Sequence, residues 1–143
     1  MLLDGGGEVH EYIIRANFSC NQACRFCFVS THLPAQQHDR IVQAIEEAGE
    51  VGARITFSGG EPTLNPRLPE YVALAKKLTQ KTVEMQTNAT RLADPKKVET
   101  LVAAGLQEVL VSLHASTAEL SDAITLGAAP PSDASLILKL SVP

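Results

Sequence analysis

Cysteine is confined to one short stretch of this chain. Cys20, Cys24 and Cys27 lie within eight residues, and there are no others. An odd number so closely spaced makes a poor disulfide framework and points to reduced thiols held for a metal. Long apolar runs are also missing. No stretch approaches the roughly 18 residues that crossing a bilayer requires. Charge of one sign is scarce: 12 Lys and Arg stand against 16 Asp and Glu, for a net charge of −4. The longest basic runs are the pairs Lys76-Lys77 and Lys96-Lys97, which is no footprint for nucleic acid or an anionic membrane. Met1 to His10 lacks a basic start and an apolar core, so no signal peptide is expected and a cytoplasmic protein is. There is no internal repeat and no low-complexity tract.

The rest is ordinary for a soluble globular domain. The chain has 143 residues, 45% hydrophobic and 20% charged, enough for one hydrophobic core. Strand-like segments read Tyr12 to Phe18, Arg54 to Ser58, Thr82 to Asn88 and Glu108 to His114. Helical patterns alternate with them. The first runs from Asp39 to Ala48. The second opens near Pro69, with Leu68, Tyr71, Val72, Ala75 and Leu78 on its inner side. The third is capped by Asp94, opened by Pro95 and ended by Gly105, with Val98, Leu101 and Val102 inward. A shorter fourth covers Ala118 to Ile124. Strand starts are separated by 42, 28 and 26 residues, close to the roughly 30 of a βαβ unit, with the cysteine segment in the longer first interval, so the expected fold is α/β with parallel strands and helical crossovers. Along each strand apolar and polar residues alternate. The apolar faces are expected under helices and the polar faces around a ligand cavity, although an antiparallel sheet with one wet face gives the same alternation.

The segment Cys20-Asn-Gln-Ala-Cys24-Arg-Phe-Cys27 follows the first strand directly, at the strand end that carries chemistry in barrel folds. Electron-carrying 4Fe–4S clusters use four cysteines; three leave one iron open. The competing reading is a zinc site made of Cys20, Cys24, Cys27 and His32, a donor set zinc accepts. Three further segments end the later strands: Ser58-Gly-Gly-Glu-Pro62, Gln86-Thr-Asn-Ala-Thr90 and Ser112-Leu-His-Ala-Ser116.

Together these motifs resemble the radical S-adenosylmethionine (radical SAM) family over about Tyr12 to Thr125. The resemblance implies an open six-unit (β/α) barrel, of which this chain shows about four units. It implies that the three thiolates bind three irons of a 4Fe–4S cluster while the amino and carboxylate groups of SAM chelate the fourth. Electron transfer then cleaves SAM to methionine and a 5′-deoxyadenosyl radical that takes hydrogen from a substrate. By the same resemblance Phe26 packs beside adenine, Gly59, Gly60, Glu61 and Pro62 hold the SAM ammonium, and Ser112 contacts SAM. Asn88 is either a contact to SAM or substrate or a plain turn former. Ala89 replaces the family's usual glycine, and His114 stands where Asp is commoner, leaving its role open. Flavodoxin or ferredoxin is the implied electron donor. Residues 1–126 are expected to form the core and 127–143 a divergent tail, with Leu136 to Val142 as a fifth strand. The family's later adenine- and ribose-binding strands have no counterpart, so an inactive truncated remnant is a further alternative, and cluster binding is expected to outlast turnover of SAM. Close backbone approach at the glycines leads to the expectation that Gly60→Val weakens SAM binding and spares the cluster.

Overall fold

The computed structural model describes residues 10–29 and 33–125. Four strands, β1 (Glu11–Asn17), β2 (Arg54–Gly59), β3 (Val83–Thr87) and β4 (Glu108–Val111), form one sheet in the order β1-β2-β3-β4 with every neighbouring pair parallel. Helices α1 (His38–Glu50), α2 (Leu68–Leu78) and α3 (Pro95–Ala104) connect them, and α4 (Ala118–Thr125) follows β4. This is the expected (β/α) progression of a partial barrel, and the parallel pairing removes the antiparallel alternative. His32 and the Leu136 to Val142 strand lie outside the described residues.

The core sits between the sheet and α1 to α3. Ile14, Ile55, Phe57, Val83 and Met85 project from one sheet face onto Ile41, Ile45, Val72 and Ala75, all of them buried. Removing each such side chain from water contributes on the order of 1.5–3 kcal/mol. The third helix starts as its sequence indicates: Asp94 Oδ1 accepts from Lys96 N at 3.0 Å, and Gly105 takes the left-handed conformation (φ 107°) that ends it.

Some expected contacts differ. Leu78 and Val102 are 37% and 40% exposed, because each stands at the edge of its helix's apolar stripe. β4 stops at Val111 instead of reaching His114, and Leu113 is exposed. The reason lies in β3. Ser112 N still reaches Thr87 O, but Asn88 N turns away to Glu61 and Ala89 adopts φ 60°, so β4 has no ladder partner beyond that point.

The opposite sheet face is mainly polar, although Ile13 and Leu110 are exposed on it. At its lower end Arg54 bridges β3 and β4 by pairing with both Glu84 and Glu108, while Thr56 donates to Glu11 at 2.9 Å. The hydrogen bond to Glu84 is the main reason the Arg54 guanidinium is held still more firmly protonated than usual. At the upper end, Ser58 donates to Gln86. All the motif segments leave the sheet at this upper, C-terminal edge.

Candidate metal and cofactor site

The cysteine loop leaves β1 at Asn17 and is tied to the ends of β2, β3 and α4 and to His114 beyond β4. Toward β2, Glu61 N donates to Ser19 O at 2.9 Å and Gly60 N to Asn17 O at 3.2 Å. The Asn17 amide donates to Glu61 O at 3.1 Å and to Ser19 Oγ at 3.0 Å. Toward β3, Asn21 Nδ2 donates to Thr90 Oγ1 at 2.6 Å and Asn88 Nδ2 to Asn21 Oδ1 at 2.8 Å. Beyond β4, the Phe26 and His114 rings meet edge to face with centroids 4.6 Å apart. At the end of α4, Thr125 O accepts from Ala23 N at 2.8 Å. A loop without regular structure is thereby fixed by hydrogen bonds to three parts of the fold and by a ring contact to a fourth.

All three cysteines are free thiols. Burial pushes the Cys20 thiol up from its ordinary value, and nearby Glu61 and Cys27 add repulsion. Cys24 is raised for the same first reason, with Cys20 and Cys27 adding to it. Among the described residues no three His, Cys, Asp or Glu side chains converge on one ion-sized point. Three cysteine thiolates are a donor set that an iron–sulfur cluster accepts. An iron beside each sulfur would also supply the positive charge that draws off the thiol proton.

Glu61 sits where its sequence motif indicates, with the extended backbone (φ −127°, ψ 109°) that Pro62 imposes, but its side chain is not presented to a ligand. It is 1% exposed. Oε1 accepts from Thr63 N (3.1 Å), Thr63 Oγ1 (2.5 Å) and Thr87 Oγ1 (2.6 Å), and Oε2 from Asn88 N (2.8 Å). The carboxylate is an internal clamp between the ends of β2 and β3. Thr63 and Thr87 complete it and were not singled out from sequence; the one local signal is Glu61 just before Pro62, where its side chain caps the short helical turn Pro62–Leu64 by accepting from Thr63 N. Asn17 was missed as well. Its Nδ2 ties β1 to β2, while its Oδ1 is buried without a partner.

The glycines also act inside the protein. A Cβ on Gly60 would collide with the carbonyl oxygens of Phe18 and Ser19, and one on Gly59, itself at φ 149°, with Asn17. Backbone approaching backbone, directly before Cys20, is what requires glycine here. The expectation for Gly60→Val therefore changes. The variant should lose iron as well as SAM affinity, because residues 18 and 19 must move and carry Cys20 with them. Iron analysis after anaerobic reconstitution checks this, and a normal iron content in Gly60→Val would contradict it.

Of the remaining candidates, Phe26 is 53% exposed, Ser112 and His114 are exposed, and Pro62 is buried.

Residues 16–135 match the family model of the Radical SAM superfamily. The chain is 35% identical over 136 residues to a GTP 3′,8-cyclase of Listeria welshimeri, covering 89% of this chain and 40% of the relative. It is 36% identical over 86 residues to an S-adenosylmethionine-dependent nucleotide dehydratase of Lacinutrix mariniflava, covering 52% and 17%. In structure it resembles BtrN, solved in complex with AdoMet and 2-DOIA (TM-score 0.66, 22% identity, 78% of this chain and 48% of that one). It also resembles Streptococcus suis SuiB (TM-score 0.69, 22% identity, 85% and 28%). At that identity the structural likenesses show the fold. The chain spans about two fifths of the length of the cyclase it matches.

Proposed function

The chain belongs to the radical SAM superfamily, and on that premise we propose that it binds a 4Fe–4S cluster through Cys20, Cys24 and Cys27 and binds SAM beside it. The observation that carries this reading is the cysteine loop itself: three free thiols on a segment bonded to the ends of β1, β2 and β3 and to the carbonyl end of α4. Such lacing fixes the loop backbone that carries the thiols, which lowers the ordering cost of assembling the cluster. When bound, cluster and SAM supply reductive cleavage of SAM to methionine and a 5′-deoxyadenosyl radical that removes hydrogen from a substrate.

The chain's own residues divide into two groups around that site. Phe26, with its ring edge braced by His114, and Ser112 keep atoms at the surface and would line SAM, Phe26 beside the adenine. Gly59, Glu61 and Pro62 act from behind, holding the backbone of Gly60 against the loop. Residues 1–126 form the working core in this reading. The cytoplasm, which keeps thiols reduced, is the compartment it implies, and a flavodoxin or ferredoxin is the implied electron donor. Among the described residues no helix is long and apolar enough to cross a membrane.

The test is anaerobic reconstitution with iron and sulfide, followed by reductant and SAM. Formation of methionine and 5′-deoxyadenosine supports the proposal. A protein that takes up zinc in place of iron and sulfide would sink it.

A further inference from the structure

Asn88 stands at the end of β3, and every hydrogen-bonding site on its side chain is in use. Oδ1 accepts twice, from Thr90 N at 3.1 Å and Thr90 Oγ1 at 2.9 Å. Nδ2 donates twice, to Asn21 Oδ1 at 2.8 Å and to Cys20 Sγ at 3.9 Å. A primary amide offers two lone pairs and two N–H groups, so none is left over for SAM or substrate. The two donors from Thr90 also fix which end of the amide is which. With the oxygen facing Thr90, the NH2 group must face the cysteine loop. The backbone strengthens this aim. Asn88 N is bonded to the buried Glu61 carboxylate, and Ala89 accepts a left-handed φ of 60°, a conformation that costs a non-glycine residue about 1–2 kcal/mol. A plain turn former explains neither the strain nor the bond to sulfur.

The donors are distributed unevenly over the three cysteines. Cys20 Sγ accepts from Asn88 Nδ2 and from Gln22 N at 3.4 Å. All three thiols also point their own S–H groups at loop oxygens, Cys20 at Asn21 Oδ1, Cys24 at Gln22 Oε1 and Cys27 at Val29 O, so what distinguishes Cys20 is the pair of N–H groups it receives in addition.

We propose that Asn88 is a positioning residue of the iron–sulfur cluster, donating to the Cys20 sulfur and thereby setting the cluster's reduction potential; this rests on the cluster reading above. The physical reason is charge. Reduction adds an electron whose charge spreads onto the ligand sulfurs, so an N–H group aimed at one of them stabilises the reduced cluster more than the oxidised one. The bond therefore raises the potential, and its loss makes the cluster harder to reduce.

The experiment is a redox titration of the reconstituted wild type and of Asn88→Ala, followed by electron paramagnetic resonance. In Asn88→Ala the midpoint should move to a more negative value. The expected size is several-fold to tenfold in the ratio of reduced to oxidised cluster, the upper end being about 59 mV for a one-electron couple. A second measurement needs no variant. Pulsed resonance on wild-type protein carrying 15N in its asparagine side chains should show a nitrogen coupled to the reduced cluster. An unchanged midpoint with a tenfold loss of SAM affinity would overturn the inference and make Asn88 a SAM contact, and absence of the nitrogen coupling would overturn it too. Failure of the wild type to assemble any iron–sulfur cluster is the separate result that removes the underlying reading together with this one.

Discussion

Glu61→Ala should lower the melting temperature of the cluster-free protein by on the order of 10 °C or more. The four donors that meet on the carboxylate include two backbone N–H groups, Thr63 N and Asn88 N, which cannot swing elsewhere. Each buried donor left unpaired costs about 1–3 kcal/mol, and the emptied space adds a cavity term. Even with the two threonine hydroxyls finding new partners, about 4 kcal/mol is lost from a total that is commonly 5–15 kcal/mol; each lost kcal/mol moves the midpoint by a few degrees in a chain of this size. Glu61→Gln keeps the shape and one acceptor and should lose about 1–3 kcal/mol. Thermal melts of the apo proteins measure both. If Glu61→Ala melted like wild type and lost only SAM affinity, the carboxylate would be a ligand group and the internal clamp would be wrong.

The cysteines should show the reverse pattern. Cys20→Ala, Cys24→Ala and Cys27→Ala should each lose most of the bound iron and the brown colour, because each thiolate serves a different iron and a second open iron is exposed to water. The apo melts should shift little, within about 1 kcal/mol, since none of the three side chains belongs to the core. Iron and sulfide analysis beside the same melts separates loss of a ligand from loss of the fold. A Cys24→Ala protein that reconstituted to full iron content would show that the ligand set is misassigned.

These two results bracket what was legible in the sequence. The cysteine loop, the alternation of strands and helices and the cap at Asp94 are local patterns, written in spacing and in residue type. The parallel order and the helix-covered face follow from them through the crossover rule. The clamp on Glu61 is different in kind. It joins residues 61, 63, 87 and 88, and nothing in the sequence brings Thr87 to Glu61 until β2 and β3 are known to be neighbours. A buried carboxylate is also rare enough that a Glu beside two glycines reads first as a ligand group. For the same reason Asn88 was left between two readings. Its four bonds reach Thr90 nearby and Asn21 and Cys20 far away in the chain, and only the distant pair distinguishes a cluster-facing residue from a turn former. Ala89 carried a visible signal, an alanine where the resemblance implies glycine, and its left-handed backbone is the structural counterpart.

The glycines teach a related point. Gly59 and Gly60 were read as making room for a ligand, whereas the atoms a Cβ would meet belong to residues 17–19. Close approach was the right inference and its partner was the protein's own backbone. The motif therefore supports the cysteine loop first, and any contact with SAM depends on that support.

The most direct measurement of the central claim is electron paramagnetic resonance of the anaerobically reconstituted, reduced protein, recorded before and after addition of SAM. The account predicts the signal of a reduced 4Fe–4S cluster that changes shape when SAM is added, because SAM occupies the iron that Cys20, Cys24 and Cys27 leave open. A protein that shows no cluster signal, or a cluster signal that SAM leaves unaltered, would contradict it.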